Sequence, residues 1–233
     1  MRATAVLLAA GSGTRFGSAV PKQYILLGGR AILEHALRRF EQANSIDQIV
    51  LVVAPELVAG TRERYQQTHQ KLRHVVGGGA RRQDSMAAGL AVLAPLDERT
   101  IIAVHDVARP LIRPALIDEC VRIAAVRGGC IVGMPAQDTV KAVNAEGLIE
   151  RTVPRETVWL AQTPQAFSLG VLRRAVEHAQ RAALTVTDEA AMVEAIGEPV
   201  AVVRGDVSNL KITTPADLLM AEAVLSQEES GCA

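Results

Sequence analysis

The sequence predicts an α/β fold, a mostly parallel twisted sheet with helices on both faces and a projecting β-hairpin arm. Two patterns carry that expectation. Short β-branched or aliphatic runs alternate with segments of helical period along most of the chain, the pattern of consecutive βαβ units. The rhythm breaks at Asp138, where two strand-like segments flank a turn. Residues 1–233 read as one domain with 136–160 as the inserted arm, since no repeat or low-complexity linker divides them.

The elements follow in order. Thr4 to Ala9 reads as a buried strand and Ala31 to Gln42 as a helix with Leu33, Leu37 and Phe40 on one face. Gln48 to Val53 is a second strand, closed by Pro55, a residue suited to the first position of a helix. A short strand at His74 to Val76 precedes a helix from Arg81 to Leu93. Thr100 to Val104 is a strand, a helix starts near Pro114, and Cys130 to Met134 is again a strand. "DTVKAV" and "LIERTV" then flank "NAEG", turn chemistry between two alternating runs. Helices are expected at Ser168 to Ala183 and Asp188 to Ile196, a late strand at Pro199 to Val203 and a closing helix at Pro215 to Leu225.

Composition narrows the function. With 233 residues and 49% hydrophobic content, the chain can bury a sizeable core. Lys plus Arg number 25 and Asp plus Glu number 25, so the overall basic excess of a nucleic-acid coat or membrane-surface protein is missing. No nucleic-acid or membrane partner is expected, and any anion binding must be local. Cys120, Cys130 and Cys232 form no CxxC pair, which suits reduced thiols and a cytoplasmic location. The opening "MRATAVLLAAGSG" has too short an apolar run for a signal peptide or a ~20-residue span, and is expected to be the first strand of the mature protein.

The loop after the first strand is where open α/β sheets bind ligands. Its glycines fall at 11, 13 and 17, so Phe16 occupies the third glycine position of a dinucleotide fingerprint, and a Walker loop is absent. That disfavours an NAD-dependent dehydrogenase. Gly11 and Gly13 allow backbone N–H groups to approach an anion, Arg15 can fork two donors onto phosphate oxygens, and Lys22 adds a compact charge behind Pro21. The alternative is a glycine-rich turn with two surface cations.

"AAGSGTRFG…PK" resembles the signature loop of nucleoside-triphosphate transferases that activate sugar phosphates. With "GGGARRQDS", "VHDVARP", "DTVK", "TPQAF", "TDEA" and "NLKITTP", the chain resembles the 2-C-methyl-D-erythritol 4-phosphate cytidylyltransferases of the non-mevalonate isoprenoid pathway, from Leu7 to about Leu219. The fold so implied is that of a Rossmann-like nucleotidyltransferase. The little sequence after the last helix leads us to expect no fused cyclase domain of the kind some relatives carry.

The resemblance implies roles residue by residue. Arg15 and Lys22 are the catalytic cations on the phosphates of CTP. Ala9, Ala10, Gly11 and Gly13, with Gly78, Arg82, Ser85 and Asp106, form the CTP site, and Asp106 is the candidate ligand, direct or through water, of Mg2+ or another divalent cation. Its alternatives are a ribose hydroxyl or a salt bridge with Arg109. Arg109, Thr139, Arg155, Thr187 and Lys211 serve the acceptor, methylerythritol phosphate. In this family the arm crosses a homodimer, so Thr139 and Arg155 are expected in the neighbouring subunit's site; otherwise the arm folds back on its own domain. On local pattern alone, Thr187 is a helix N-cap and Lys211 a solvent-facing residue of a short strand-like piece. His105 is expected to be structural. A ribitol-5-phosphate cytidylyltransferase and a non-catalytic CTP-binding module are the alternatives to the implied activity.

Overall fold

The computed structural model describes residues 2–11, 16 and 21–231. Its strands and helices, in chain order, are β1 (Ala3–Ala9), β2 (Leu26–Leu27), β3 (Arg30–Ala31), α1 (Ile32–Gln42), β4 (Ile46–Val53), α2 (Val58–Tyr65), β5 (Leu72–Gly77), α3 (Arg82–Ala91), β6 (Ile101–Asp106), α4 (Pro114–Arg127), β7 (Gly129–Pro135), β8 (Val140–Val143), β9 (Ile149–Val153), β10 (Trp159–Ser168), α5 (Leu169–Arg181), α6 (Glu189–Glu194), β11 (Ala201–Arg204) and α7 (Pro215–Gly231). Among these described residues no helix is long and apolar enough to cross a membrane.

Seven strands form one sheet in the order β11-β7-β10-β6-β1-β4-β5. β1 pairs in parallel with both β4 and β6, and β5 and β11 are also parallel to their neighbours. All seven residues of β1 are buried, as a central strand covered on both faces requires. Their alternation divides two cores. Ala3, Ala5, Leu7 and Ala9 face Leu33, Leu37 and Phe40 of α1 and Ile117 and Cys120 of α4, while Val6 and Leu8 face Met86 of α3, Leu172 of α5 and Val193 of α6. A third cluster seats Ala221 and Leu225 of α7 on Leu27 and Ile32.

The chain lays down β1, β4 and β5 to one side and then returns to place β6 on the other side of β1. The gap between β1 and β6 is therefore the topological switch point, where ligand crevices open beyond the carboxyl ends of the strands. α3 crosses the sheet closely because Gly89 has no side chain; a Cβ there would lie 2.6 Å from Val6 Cγ1. α4 stops at Gly128, whose φ of +91° only glycine adopts readily.

Two differences from the sequence expectation matter. β10 was not expected, and it runs antiparallel between β6 and β7 in the middle of the sheet. Pro164 removes a ladder donor there, and the register shifts between Ala161 and Gln165, so the segment lacks the uninterrupted pattern of a central strand. Lys211 is not in a strand-like piece: residues 210–213 are irregular backbone leading into α7. β8 and β9 form a separate two-stranded antiparallel sheet, with Ile149 to Thr152 exposed.

Candidate active site

A cavity of about 530 Å3 opens at the switch point. The end of β1 contributes Leu8, Ala9, Ala10 and Gly11, and the turn after it Lys22 and Gln23. The β5–α3 connection supplies Gly79, Ala80 and Arg81, and α3 itself Arg82 and Ser85. Asp106, Val107 and Ala108 come from the end of β6, and Lys211 and Thr213 from the segment before α7. Leu8 and Asp106 are register partners in the β1–β6 ladder, which sets the first loop beside the acid.

Small residues shape the wall. A Cβ on Gly78 would fall 2.5 Å from the Ala10 Cβ and 2.7 Å from Ser85 Oγ, so the two loops touch backbone to side chain with no room for a larger group. Gly78 N–H donates to Val53 O at 2.7 Å and Gly79 N–H to Ser85 Oγ at 3.2 Å. Gly79 to Arg81 lead into the first turn of α3, where unsatisfied N–H groups favour an anion.

Four charged side chains run in a chain past the cavity. Lys211 Nζ donates to Asp106 Oδ2 at 2.6 Å, and Arg82 Nε donates to Asp106 Oδ1 at 3.0 Å. The far edge of the same guanidinium holds Glu189, with NH1 to Oε1 at 2.6 Å and NH2 to Oε2 at 2.9 Å. Burial alone pushes the Asp106 carboxyl up, but Arg82 and Lys211 outweigh it and hold it well below the usual carboxylate range. Burial likewise opposes the Arg82 charge, and Glu189 and Asp106 more than restore it. Burial raises the Glu189 carboxyl against the pull of Arg82; with both oxygens accepting from guanidinium nitrogens, its geometry is that of a carboxylate. Among the described lining residues Asp106 is the only acid, facing Lys22, Arg81, Arg82 and Lys211. Such an excess of cations suits a polyanion.

His105 fixes the backbone beneath. Asp106 N–H donates to Thr163 Oγ1 at 3.1 Å, and the same hydroxyl lies 3.0 Å from His105 Nδ1, while Nε2 lies 3.0 Å from Arg109 O. Arg109 O can only accept, so Nε2 carries the ring proton and donates it there, and the neutral ring accepts the Thr163 hydroxyl at Nδ1. The ring is wholly buried, and burial lowers its pKa to about 4.

A family model described as 2-C-methyl-D-erythritol 4-phosphate cytidylyltransferase (IspD) matches residues 3–227. A protein of that name from Geotalea uraniireducens is 43% identical over 232 residues, 99% of each chain. The chain belongs to the 2-C-methyl-D-erythritol 4-phosphate cytidylyltransferase family. Another protein of the family, from Syntrophus aciditrophicus, is 41% identical over 98% of this chain and 97% of its own. Among solved structures, 4-diphosphocytidyl-2C-methyl-D-erythritol synthase from Anaerococcus prevotii superposes with a TM-score of 0.83 at 28% identity, covering 97% of this chain and 96% of that one.

Of the residues that the cytidylyltransferase resemblance implies, Ala9, Ala10, Gly11, Lys22, Arg82, Ser85, Asp106 and Lys211 line the one cavity, and Gly78 packs directly behind it. Gly13 and Arg15 lie outside the described residues. Thr139, Arg155 and Thr187 do not line the cavity; Thr139 and Thr187 are exposed, and Arg155 NH1 donates within its own segment to Gln137 O at 2.8 Å. Three expectations are corrected. Asp106 is bridged by Arg82 and Lys211, not by Arg109, whose guanidinium instead donates to Asn209 O at 2.8 Å and, at 3.4 Å, to Ala161 O. The N-cap of α6 is Asp188, which accepts from Ala191 N–H at 3.0 Å, rather than Thr187. Lys211 is turned to Asp106 and is not an ordinary surface lysine. Glu189 was legible only as a first-turn acid, because its partner Arg82 stands 107 residues away. Gln23 and Thr213 also line the cavity without having been singled out, although Thr213 falls in the "NLKITTP" stretch.

Proposed function

We propose that the chain is a cytidylyltransferase that joins CTP and 2-C-methyl-D-erythritol 4-phosphate, giving 4-diphosphocytidyl-2-C-methyl-D-erythritol and pyrophosphate in the non-mevalonate isoprenoid pathway. One observation carries the reading: in a chain of this family, Lys22, Arg82 and Lys211 line one cavity at the sheet's switch point, where Arg82 and Lys211 bridge Asp106, the only acid among its described lining residues. An oxygen of the acceptor phosphate forms the new bond to the α-phosphorus of CTP as the bond to the β-phosphate's bridging oxygen breaks. The nucleophile is already an anion near neutral pH, so no side chain needs to take its proton. Bringing two polyanions together and supporting charge on the phosphoryl oxygens is the difficulty, and positioned cations meet it. Lys22, with Arg15 by resemblance, serves the triphosphate. Lys211 serves the acceptor phosphate.

Asp106 fits a divalent cation. It is held ionised at the cavity wall, and Mg2+ commonly takes one or two carboxylates and completes its shell with phosphates and water. Asp106 would hold the ion, which when bound would neutralise triphosphate charge. Exposed Val143, Leu148, Ile149, Trp159 and Leu160 support a homodimer built through the 136–160 segment, with Thr139 and Arg155 given to the partner's site. Free, buried Cys120 and Cys130 support a cytoplasmic location.

Purified protein with CTP, Mg2+ and methylerythritol 4-phosphate is expected to release pyrophosphate, with ribitol 5-phosphate tested beside it. Faster turnover of ribitol 5-phosphate would replace the proposed acceptor, and CTP binding without pyrophosphate from either acceptor would leave a binding module.

A further inference from the structure

Among the described residues Glu189 does not line the cavity and its carboxylate oxygens accept from Arg82, yet it is wholly buried. Burying a carboxylate is unfavourable, and an apolar residue of similar volume with its partner replaced to match is often neutral or better for stability. What the buried pair supplies here is geometry. Glu189 takes NH1 and NH2 of Arg82, which leaves Nε as the donor to Asp106 Oδ1. A planar guanidinium held on one edge by two bonds has its other edge aimed, so the plane that Glu189 sets is the plane that Asp106 meets.

The anchor is itself rigid. Gln165, 1% exposed in the middle of the sheet, donates through Nε2 to Asp188 Oδ2 at 2.9 Å and accepts from Ala190 N–H at 2.9 Å. These bonds clamp the residues on either side of Glu189. The path therefore runs from a central strand through the first turn of α6 to α3, then to β6 and Lys211.

We propose that Glu189 is a positioning residue for the transfer: by fixing the Arg82 guanidinium it orients Asp106, and through Asp106 the ammonium of Lys211, across the cavity. The inference rests on the cytidylyltransferase reading. Glu189→Gln keeps the size but loses the charge and one of the two acceptors, so Arg82 is free to turn. Turnover depends on alignment at the reacting atoms, whereas nucleotide binding is spread over many groups.

The test measures pyrophosphate release by wild type, Glu189→Gln, Glu189→Asp, Asp106→Asn and the Glu189→Gln/Asp106→Asn double variant, with melting curves for each. Expected for Glu189→Gln is a kcat lower by about tenfold to a hundredfold, a KM for CTP within about threefold of wild type, and partial rescue of kcat in Glu189→Asp. In the Asp106→Asn background the Glu189→Gln penalty should nearly vanish, because both changes break one path. A folded Glu189→Gln with wild-type kcat overturns the proposal, as does a loss confined to KM or a full penalty on top of Asp106→Asn. If Glu189→Gln does not fold, Glu189→Asp decides on the same split between kcat and KM, and an Asp106→Asn with wild-type turnover breaks the path and overturns the proposal. A wild-type protein that releases no pyrophosphate removes the functional reading and this inference with it; an active wild type with unaffected Glu189 variants removes the inference alone.

Discussion

Single side chains at this site are defined by protonation as much as by position. His105 donates from Nε2 to the Arg109 carbonyl, which can only accept, and burial keeps the ring neutral, so that Nδ1 accepts from the Thr163 hydroxyl. A second ring proton, on Nδ1, would place a charge in a wholly buried site. The folded ring takes up that proton only near pH 4, against 6.5 when unfolded, so the unfolded chain binds the extra proton first as pH falls. Stability is therefore complete above about pH 6.5 and is lost progressively down to about pH 4, by roughly 3 kcal/mol from this residue. Urea unfolding across that range is expected to show a steep acid loss in wild type and a flatter one in His105→Asn, whatever the baseline of the variant; equal slopes would refute the assignment. The sequence showed His105 as a structural residue just past the strand Thr100 to Val104, but not this network. Thr163, its partner, lies 58 residues on, in a strand the periodicity does not reveal. Ala9, Ala10, Gly11 and Lys22 were legible because one short loop holds them together, whereas Glu189 gains its role only from a distant partner.

Elements hold the site through their ends. α7 begins with a reciprocal cap: Asp217 N–H donates to Thr214 Oγ1 at 3.3 Å, and Thr214 N–H returns to Asp217 Oδ2 at 2.8 Å, with Pro215 in the first helical position. Asp217 also takes Thr213 N–H at 2.8 Å and its hydroxyl at 2.7 Å, so one carboxylate ties the helix to the strip that carries Lys211. Upstream, Ile212 N–H donates to Ala108 O at 2.8 Å. Lys211 thus sits between anchors on the turn after β6 and on α7. Asp217→Ala is expected to lower stability by about 1 kcal/mol and, by loosening that strip, to raise the KM for the acceptor more than that for CTP. Equal effects on the two substrates would show that the cap serves the helix only. The "TTPAD" pattern announces this helix start in sequence, since capping is local chemistry. β10 is the opposite case. Gln162, Thr163 and Gln165 are buried because the strand lies between β6 and β7, and only that tertiary placement turns a polar, proline-broken run into sheet.

Across the whole molecule, two of the implied acceptor residues that do not line the cavity of their own chain lie on the 136–160 segment. Arg155 is bonded to Gln137 within the 136–160 segment, and Thr139 is exposed just before β8. The same segment exposes Val143, Leu148 and Ile149 at 56%, 65% and 64%, with Leu160 at 60% at its end. A two-stranded hairpin is marginal alone in water, and apolar side chains so placed favour a second surface. If a twofold partner is that surface, each site combines Lys22 of one subunit with Arg155 of the other. Lys22→Ala and Arg155→Ala homodimers would then each be impaired at both sites, by about two to three powers of ten in rate for the lysine. In a mixed dimer, the body of the Arg155→Ala subunit meets the segment of the Lys22→Ala subunit, and one site regains both cations while the other lacks both. Random exchange of equal amounts makes half the dimers mixed, so activity should return to about a quarter of wild type. Exchange is followed with differently tagged subunits by native mass spectrometry, and turnover is measured on the same sample. Recovery in step with the mixed fraction supports the shared site; proven exchange without recovery means that each chain completes its own.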